Sequence, residues 1–252
     1  YIINPVYDFT GSPNGSYQTI HNMDYWVANI THSIHRYHKI NPWNSEIDIQ
    51  YNDDFLKTSV NFSGEHYYRK KSTIDYRFFA GKMFEKRNRF IPNPLFRADG
   101  ISSSYIGGTD YMFDEVLLGR SEFDGLLSHQ MIIHDGGFKM ATPLGVSKWM
   151  IAANVSAAIP KIPIIRVFLD VATFENAKLV LENNAVFIYE AGFEFQFIKN
   201  TFEVFVPILI SKDLKRVSEL NGQKWSDRIR FVLNLNAINP FKYKKTIHNI
   251  AI

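Results

Sequence analysis

Val186–Asn200 reads VFIYEAGFEFQFIKN, and its alternation decides the fold. Phe187, Tyr189, Ala191, Phe193, Phe195 and Phe197 share one face of an extended chain, because successive strand side chains point to opposite sides. Ile188, Glu190, Gly192, Glu194 and Gln196 share the other. Lys199-Asn200 is a connection of only two residues. Beyond it Phe202, Val204, Val206, Ile208 and Ile210 form a second apolar row, with Glu203 opposite. After a polar link, Ile229, Phe231, Leu233 and Leu235 alternate with Arg228, Arg230, Asn234 and Asn236. A soluble sandwich would bury the aromatic rows and wet the charged ones. A membrane-spanning barrel turns the aromatic rows to lipid and the charged ones to a polar lumen, and this is the fold the pattern predicts.

Working outward, the same period-two signal recurs over Leu56–Glu65, Thr73–Ala80, Lys148–Ile159 and Ile165–Ala172. It is weaker over Trp26–Ile34, Ser45–Tyr51 and Leu126–His134. The expectation is an all-β, antiparallel transmembrane barrel of roughly 10–12 strands, the larger number if Arg97–Arg120 hides a pair. Residues 1–23 read as a lead-in, 24–236 as the barrel with a long internal loop at 85–125, and 237–252 as a basic periplasmic tail. The tight links at Pro160–Pro163 and Lys199-Asn200 fall at one end, the periplasmic one. Glu175–Ala185 and Ser211–Asp227 are long, charged and extracellular in this architecture. The 85–125 segment falls at the periplasmic end by this count, and either folds inward or packs beneath the barrel. Pro207 sits inside an otherwise good strand, where proline lacks a ladder donor, and predicts a bulge.

Composition agrees. Hydrophobic residues make up 46% of the 252, yet no run approaches the ~18 uncharged apolar residues of a membrane helix. Aromatics reach 15%, as two interfacial girdles require, and Trp26, Trp43, Trp149 and Trp225 fit as anchors. There is no cysteine, which excludes disulfide frameworks and thiolate metal sites. A net charge of +3 without a basic cluster gives nucleic-acid binding no support. The chain starts at Tyr1 with no secretory signal, so the expectation is the C-terminal part of a longer polypeptide in the bacterial outer membrane.

Candidate chemistry is sparse. His32, His35 and His38 cannot converge on a metal from one strand, since His35 faces away from the other two. Gly107-Gly108-Thr109-Asp110 lacks the lysine and helix of a phosphate loop, and Asp110, Asp114 and Glu115 miss the EF-hand spacing. No catalytic, cofactor or metal site is expected. The informative set is charged: Lys57, Glu65, Asp75, Arg77, Arg166, Asp170, Glu190, Glu194, Glu203, Arg228 and Arg230 point into the lumen, where both signs should pair across neighbouring strands. Phe187, Phe193, Phe195, Phe197, Val204, Ile229, Phe231 and Leu233 face lipid. Outer-membrane lipid is the expected partner, with other envelope proteins beside it.

Three phrases carry a family resemblance: Phe113–Ser121 (FDEVLLGRS), Gly125–Lys139 (GLLSHQMIIHDGGFK) and Arg228–Phe241 (RIRFVLNLNAINPF). They resemble the C-terminal region of large outer-membrane proteins of the Bacteroidota, some with an upstream gluzincin-type metallopeptidase domain similar to aminopeptidase N. The resemblance implies a barrel that anchors or connects a larger protein or assembly. It transfers no active site, because the zinc motif of that family has no counterpart here. A small outer-membrane channel and a soluble ligand-binding β-barrel are the alternatives.

Overall fold

Alternation becomes a nine-stranded antiparallel sheet in the computed structural model, which describes residues 2–3, 25–37, 40–70, 72–85, 95–102, 112, 117, 125–140, 144–220 and 222–234. In chain order the strands are β1 (Ile2–Ile3), β2 (Tyr25–Trp26), β3 (Ala28–Arg36), β4 (Trp43–Tyr51), β5 (Phe55–Arg69) and β6 (Ser72–Glu85). The short strands β7 (Phe96–Arg97), β8 (Ile101–Ser102), β9 (Met131–Ile132) and β10 (Gly145–Val146) follow. Then come β11 (Trp149–Ile159), β12 (Ile162–Phe174), β13 (Ile188–Ile198), β14 (Phe202–Ile210) and β15 (Arg230–Leu233). The main sheet has the order β15-β14-β13-β12-β11-β6-β5-β4-β3, so each strand lies beside its predecessor within the sheet. Local pairing of this kind is what tight turns dictate. Lys161 and Asn200 take positive φ of 77° and 57° in two of those turns. The longer links at the opposite end carry helices α1 (Ala177–Val180) and α2 (Lys212–Leu220).

The all-β class is correct, but the sheet is open. It does not curl into a closed barrel, and β3 is not bonded to β15.

The two faces differ sharply. On one, Arg166, Asp170 and Glu190 are 2%, 1% and 0% exposed. On the other, Phe78, Leu169 and Phe193 are 50%, 47% and 39% exposed. The charged face is covered by the described parts of the chain between β6 and β11. Within that stretch, residues 95–102, 125–140 and 144–146 make two small pairings, β7 with β10 and β8 with β9, and a parallel bridge ties Gln130 to Phe231 of the sheet. Phe96, Ala98, Phe138 and Met140 are completely buried there against Phe79, Met83, Met150, Ala152 and Ala172. The hydrophobic core therefore lies between the sheet and this segment.

Several expectations shift. Leu126–His134 is not a sheet strand: Leu126–His129 form a 3-10 turn and only Met131–Ile132 pair. The non-sheet segment extends past residue 125 as far as Lys148. Arg228 and Ile229 precede β15, with Arg228 closing a 3-10 turn at Trp225–Arg228. Ile210 does not share the row of Phe202 and Val204. Ala191 pairs with Leu209 and Gly192 with Pro207, so Ile208 has no partner and Ile210 comes opposite Glu190. That slip is the bulge Pro207 predicts: a missing donor is tolerated where the ladder is already interrupted. A Cβ on Gly192 would overlap the Val206 carbonyl oxygen, so only glycine admits the approach. Most of the lead-in, most of 85–125, His38, Leu235, Asn236 and the 237–252 tail lie outside the described residues.

Candidate functional site on the charged face

The polar rows of six neighbouring strands meet in two clusters, one at each level of the sheet. The first centres on Arg166, on β12. Its Nη2 lies 3.1 Å from Asp75 and its Nε 3.6 Å from Glu194. Nε also donates to Ser156 Oγ at 2.8 Å and Nη1 to Thr73 Oγ1 at 3.0 Å. Ser156 in turn donates to Glu194. The period-two register makes this possible: Arg166 pairs with Glu194, and Ser156 with Asp75 and Phe168. Lys199, in the β13–β14 turn, extends the cluster to the edge by contacting Glu65 at 2.9 Å and Asp75 at 3.1 Å. Gln196 bridges Glu194 and Glu203, donating at 3.2 and 3.1 Å.

The second cluster holds the covering segment. Asp170 and Glu190 are direct cross-strand partners, a like-charge pair that is unfavourable by itself. Lys139 offsets part of it, its Nζ 3.1 Å from Asp170 while its own amide donates to Glu190. The Met140 amide donates to Glu190 Oε2 at 3.1 Å. Asn154 donates to Asp170 Oδ1 at 2.8 Å and to the Gly136 carbonyl at 3.0 Å. Arg77 donates to the Asp135 carbonyl at 2.7 Å and to Asn154 Oδ1 at 3.0 Å. Gly137 has φ of +73°, and a Cβ there would sit 2.7 Å from Asn154 Oδ1 and 2.8 Å from Arg77 Nη1. The Asp-Gly-Gly-Phe-Lys run is thus shaped to lie flat on two strands.

Asp135 ties this segment to β7. Its carboxylate accepts from the Arg97 amide at 2.9 Å and lies 3.0 Å from His134 Nδ1. Burial alone would push this carboxyl up, but Lys57, His134 and the Arg97 amide outweigh it and hold it well below the usual carboxylate range. Lys57 donates to the Leu95 carbonyl at 3.3 Å and lies over the Phe96 ring. At the other edge, Arg230 donates to the Ser128 carbonyl at 2.7 Å, and His129 meets the Ile229 carbonyl at 2.7 Å.

Of the charges singled out from sequence, Lys57, Arg166, Asp170, Glu190, Glu194, Glu203 and Arg230 are buried, and Glu65, Asp75, Arg77 and Arg228 are half-buried. Arg228 joins none of these contacts through its side chain. Sequence reasoning missed Lys139, Asp135, Lys199 and Thr73. Lys139 and Asp135 lie off the alternating strands, so periodicity could not reach them. The glycines between them are the signal that a backbone approaches something closely.

On the open face Phe187, Phe193 and Phe197 are exposed, while Phe195, Val204, Ile229, Phe231 and Leu233 are half-buried. Val60, Phe62, Phe78, Ala80, Ile151 and Ala153 line a shallow apolar hollow of about 280 Å³ there. Among the described residues no three His, Asp or Glu side chains are grouped to hold a metal ion. His32 and His35 are exposed, on opposite faces of β3. No protein-family model, curated protein or solved structure matches this chain.

Proposed function

We propose that this chain is an outer-membrane β-barrel segment that anchors or connects a larger protein or assembly, with no catalytic site of its own among the described residues. One observation carries the reading: apolar rows are exposed along strand after strand while full charges are buried behind them. Water would reverse that arrangement, since soluble monomers rarely expose contiguous apolar patches beyond a few hundred Å² (about 300–600). Lipid accepts it. Strand lengths agree, because β11, β12 and β13 have 11, 13 and 11 residues and a tilted crossing needs roughly 9–11. The tryptophans agree as well. Trp43 starts β4 at the end of the sheet bearing the tight turns, while Trp26, Trp149 and Trp225 lie toward the other end, as two interfacial belts require.

The clamped segment argues against a conducting lumen, because the charged face is occupied by ordered backbone. It argues equally against a soluble ligand-binding barrel, whose apolar residues would surround an interior site. The test uses tryptophan probes in protein reconstituted with brominated lipid. Phe193→Trp and Val167→Trp are expected to be quenched strongly and Ser156→Trp weakly. A chain that stays folded and soluble without detergent, or three equal quenching efficiencies, overturns the reading.

A further inference from the structure

Lys82 interrupts the open face. It shares one row of β6 with Phe78, Ala80 and Phe84, all exposed, because alternate residues of a strand point to the same side. No other Lys, Arg, Asp or Glu among the described residues of β6 and β11–β14 stands on that face. The Lys82 ammonium lies over the Phe84 ring, 5.1 Å from its centroid, and pairs with no carboxylate of the described residues. Glu175, whose amide donates to the Trp149 carbonyl, is held instead by Lys148 at 2.8 Å.

Register sets the level of this cation. Lys82 pairs with Thr58 on one side and Trp149 on the other. One row nearer the loops that carry α1 and α2 stand Tyr51, Leu56 and Phe84, with the Trp26 ring 5.8 Å from that of Tyr51. Tryptophan and tyrosine mark the headgroup level of a membrane, and a lysine beside them keeps its charge wet while its stem lies on apolar surface.

The next two rows toward the sheet centre line the apolar hollow. Its floor is Ala80 and Ala153, diagonal neighbours across the β6–β11 seam, since Ala80 pairs with Ile151 and Ala153 with Phe78. Two methyl side chains among the exposed Phe78, Ile151 and Phe187 leave a trough. Lys82 stands one row beyond Ala80, about 7 Å along the strand.

We propose that this site holds one anionic phospholipid, its phosphate on Lys82 and one acyl chain along the Ala80–Ala153 trough. The inference rests on the barrel reading, which puts this face in lipid, and adds which lipid sits where. A cation on a lipid-facing row is tolerated near the interface, where an anionic headgroup can meet it. A neutral lipid would leave the ammonium without a partner, and a free phosphate would leave the trough empty. A second copy fits less well, because a two-fold contact sets each patch against itself and brings Lys82 toward its equivalent.

The experiment reconstitutes the complete polypeptide in phosphatidylcholine vesicles with trace phosphatidic acid or trace diacylglycerol, each bearing the same diazirine-labelled chain. Photo-adducts are mapped by mass spectrometry. On Ile151–Ala153, phosphatidic acid is expected to exceed diacylglycerol by about fivefold, the preference that one lysine at an anionic headgroup supports. No such excess is expected at Phe193. Lys82→Gln should bring the two lipids to parity, while Lys82→Arg should keep the preference. Ala80→Phe, which fills the trough, should lower labelling there by both lipids. Equal labelling of Ile151–Ala153 in the parent overturns the proposal, as does a preference that survives Lys82→Gln or labelling that Ala80→Phe leaves unchanged. Adducts at Phe193 without a preference at the trough sink this site alone, whereas no lipid adduct on either stretch sinks the barrel reading with it.

Discussion

Lys139 holds the covering segment to the acidic pair of the charged face. With its ammonium gone, Asp170 and Glu190 remain opposite each other, both buried and without a cation of comparable proximity. Removing one member of a buried ionic cluster costs about 3–5 kcal/mol. Lys139→Met should lower unfolding stability by that order in denaturant titrations, and Asp170→Asn should recover part of the loss in the double variant. Simple additivity of the two losses would show that Lys139 does not neutralise this pair. Gly137 is constrained by backbone rather than charge. Its left-handed φ and the nearness of Asn154 and Arg77 predict that Gly137→Ala destabilises by about 1–3 kcal/mol, readable in the same titration. Asp135 predicts a pH dependence. Its folded carboxyl ionises below the unfolded value of about 4, so its stabilisation is complete above that value and fades as pH falls below it. Melting temperatures of the parent and Asp135→Asn should differ most near neutrality and converge in acid. A constant difference across that range would remove Asp135 from the acid response.

At the scale of elements, the β13–β14 pair shows how a local rule decides which face a residue meets. Strict alternation puts Ile208 and Ile210 beside Val204, but the slip opposite Gly192 moves Ile210 to the packed face and leaves Leu209 exposed. Proline at 207 needs the interruption, and glycine at 192 gives the backbone room for it. Gly192→Val should force β14 away and cost more than Gly145→Val, where the nearest neighbour is the flexible side chain of Leu95. Limited proteolysis at the β14–α2 junction reads the difference, and equal cleavage of the two variants would mean the close approach is unimportant.

For the whole molecule, the decisive quantity is which face meets which medium. Nine rows of alternating residues say that two unlike faces exist, and Phe193 beside Glu194 makes that plain in the sequence alone. The polar rows of Arg166, Asp170, Glu190 and Glu194 were legible for the same reason, because strand period is two and one residue determines the side of the next. Sequence also located the bulge at Pro207, since a missing N–H has the same consequence in any sheet. What it could not locate was the cover. Lys139 and Asp135 belong to an irregular segment, and the strands they grip at Asp170, Glu190, Asn154 and Arg77 lie distant along the chain. Only three-dimensional packing brought these together. Nor could alternation count strands or close them: closure depends on sheet curvature and on the relative direction of β3 and β15, properties of the assembled sheet rather than of any one row. Local periodicity thus determined the two faces of this protein, while long-range contacts, which no short-range pattern encodes, decided what lies on each.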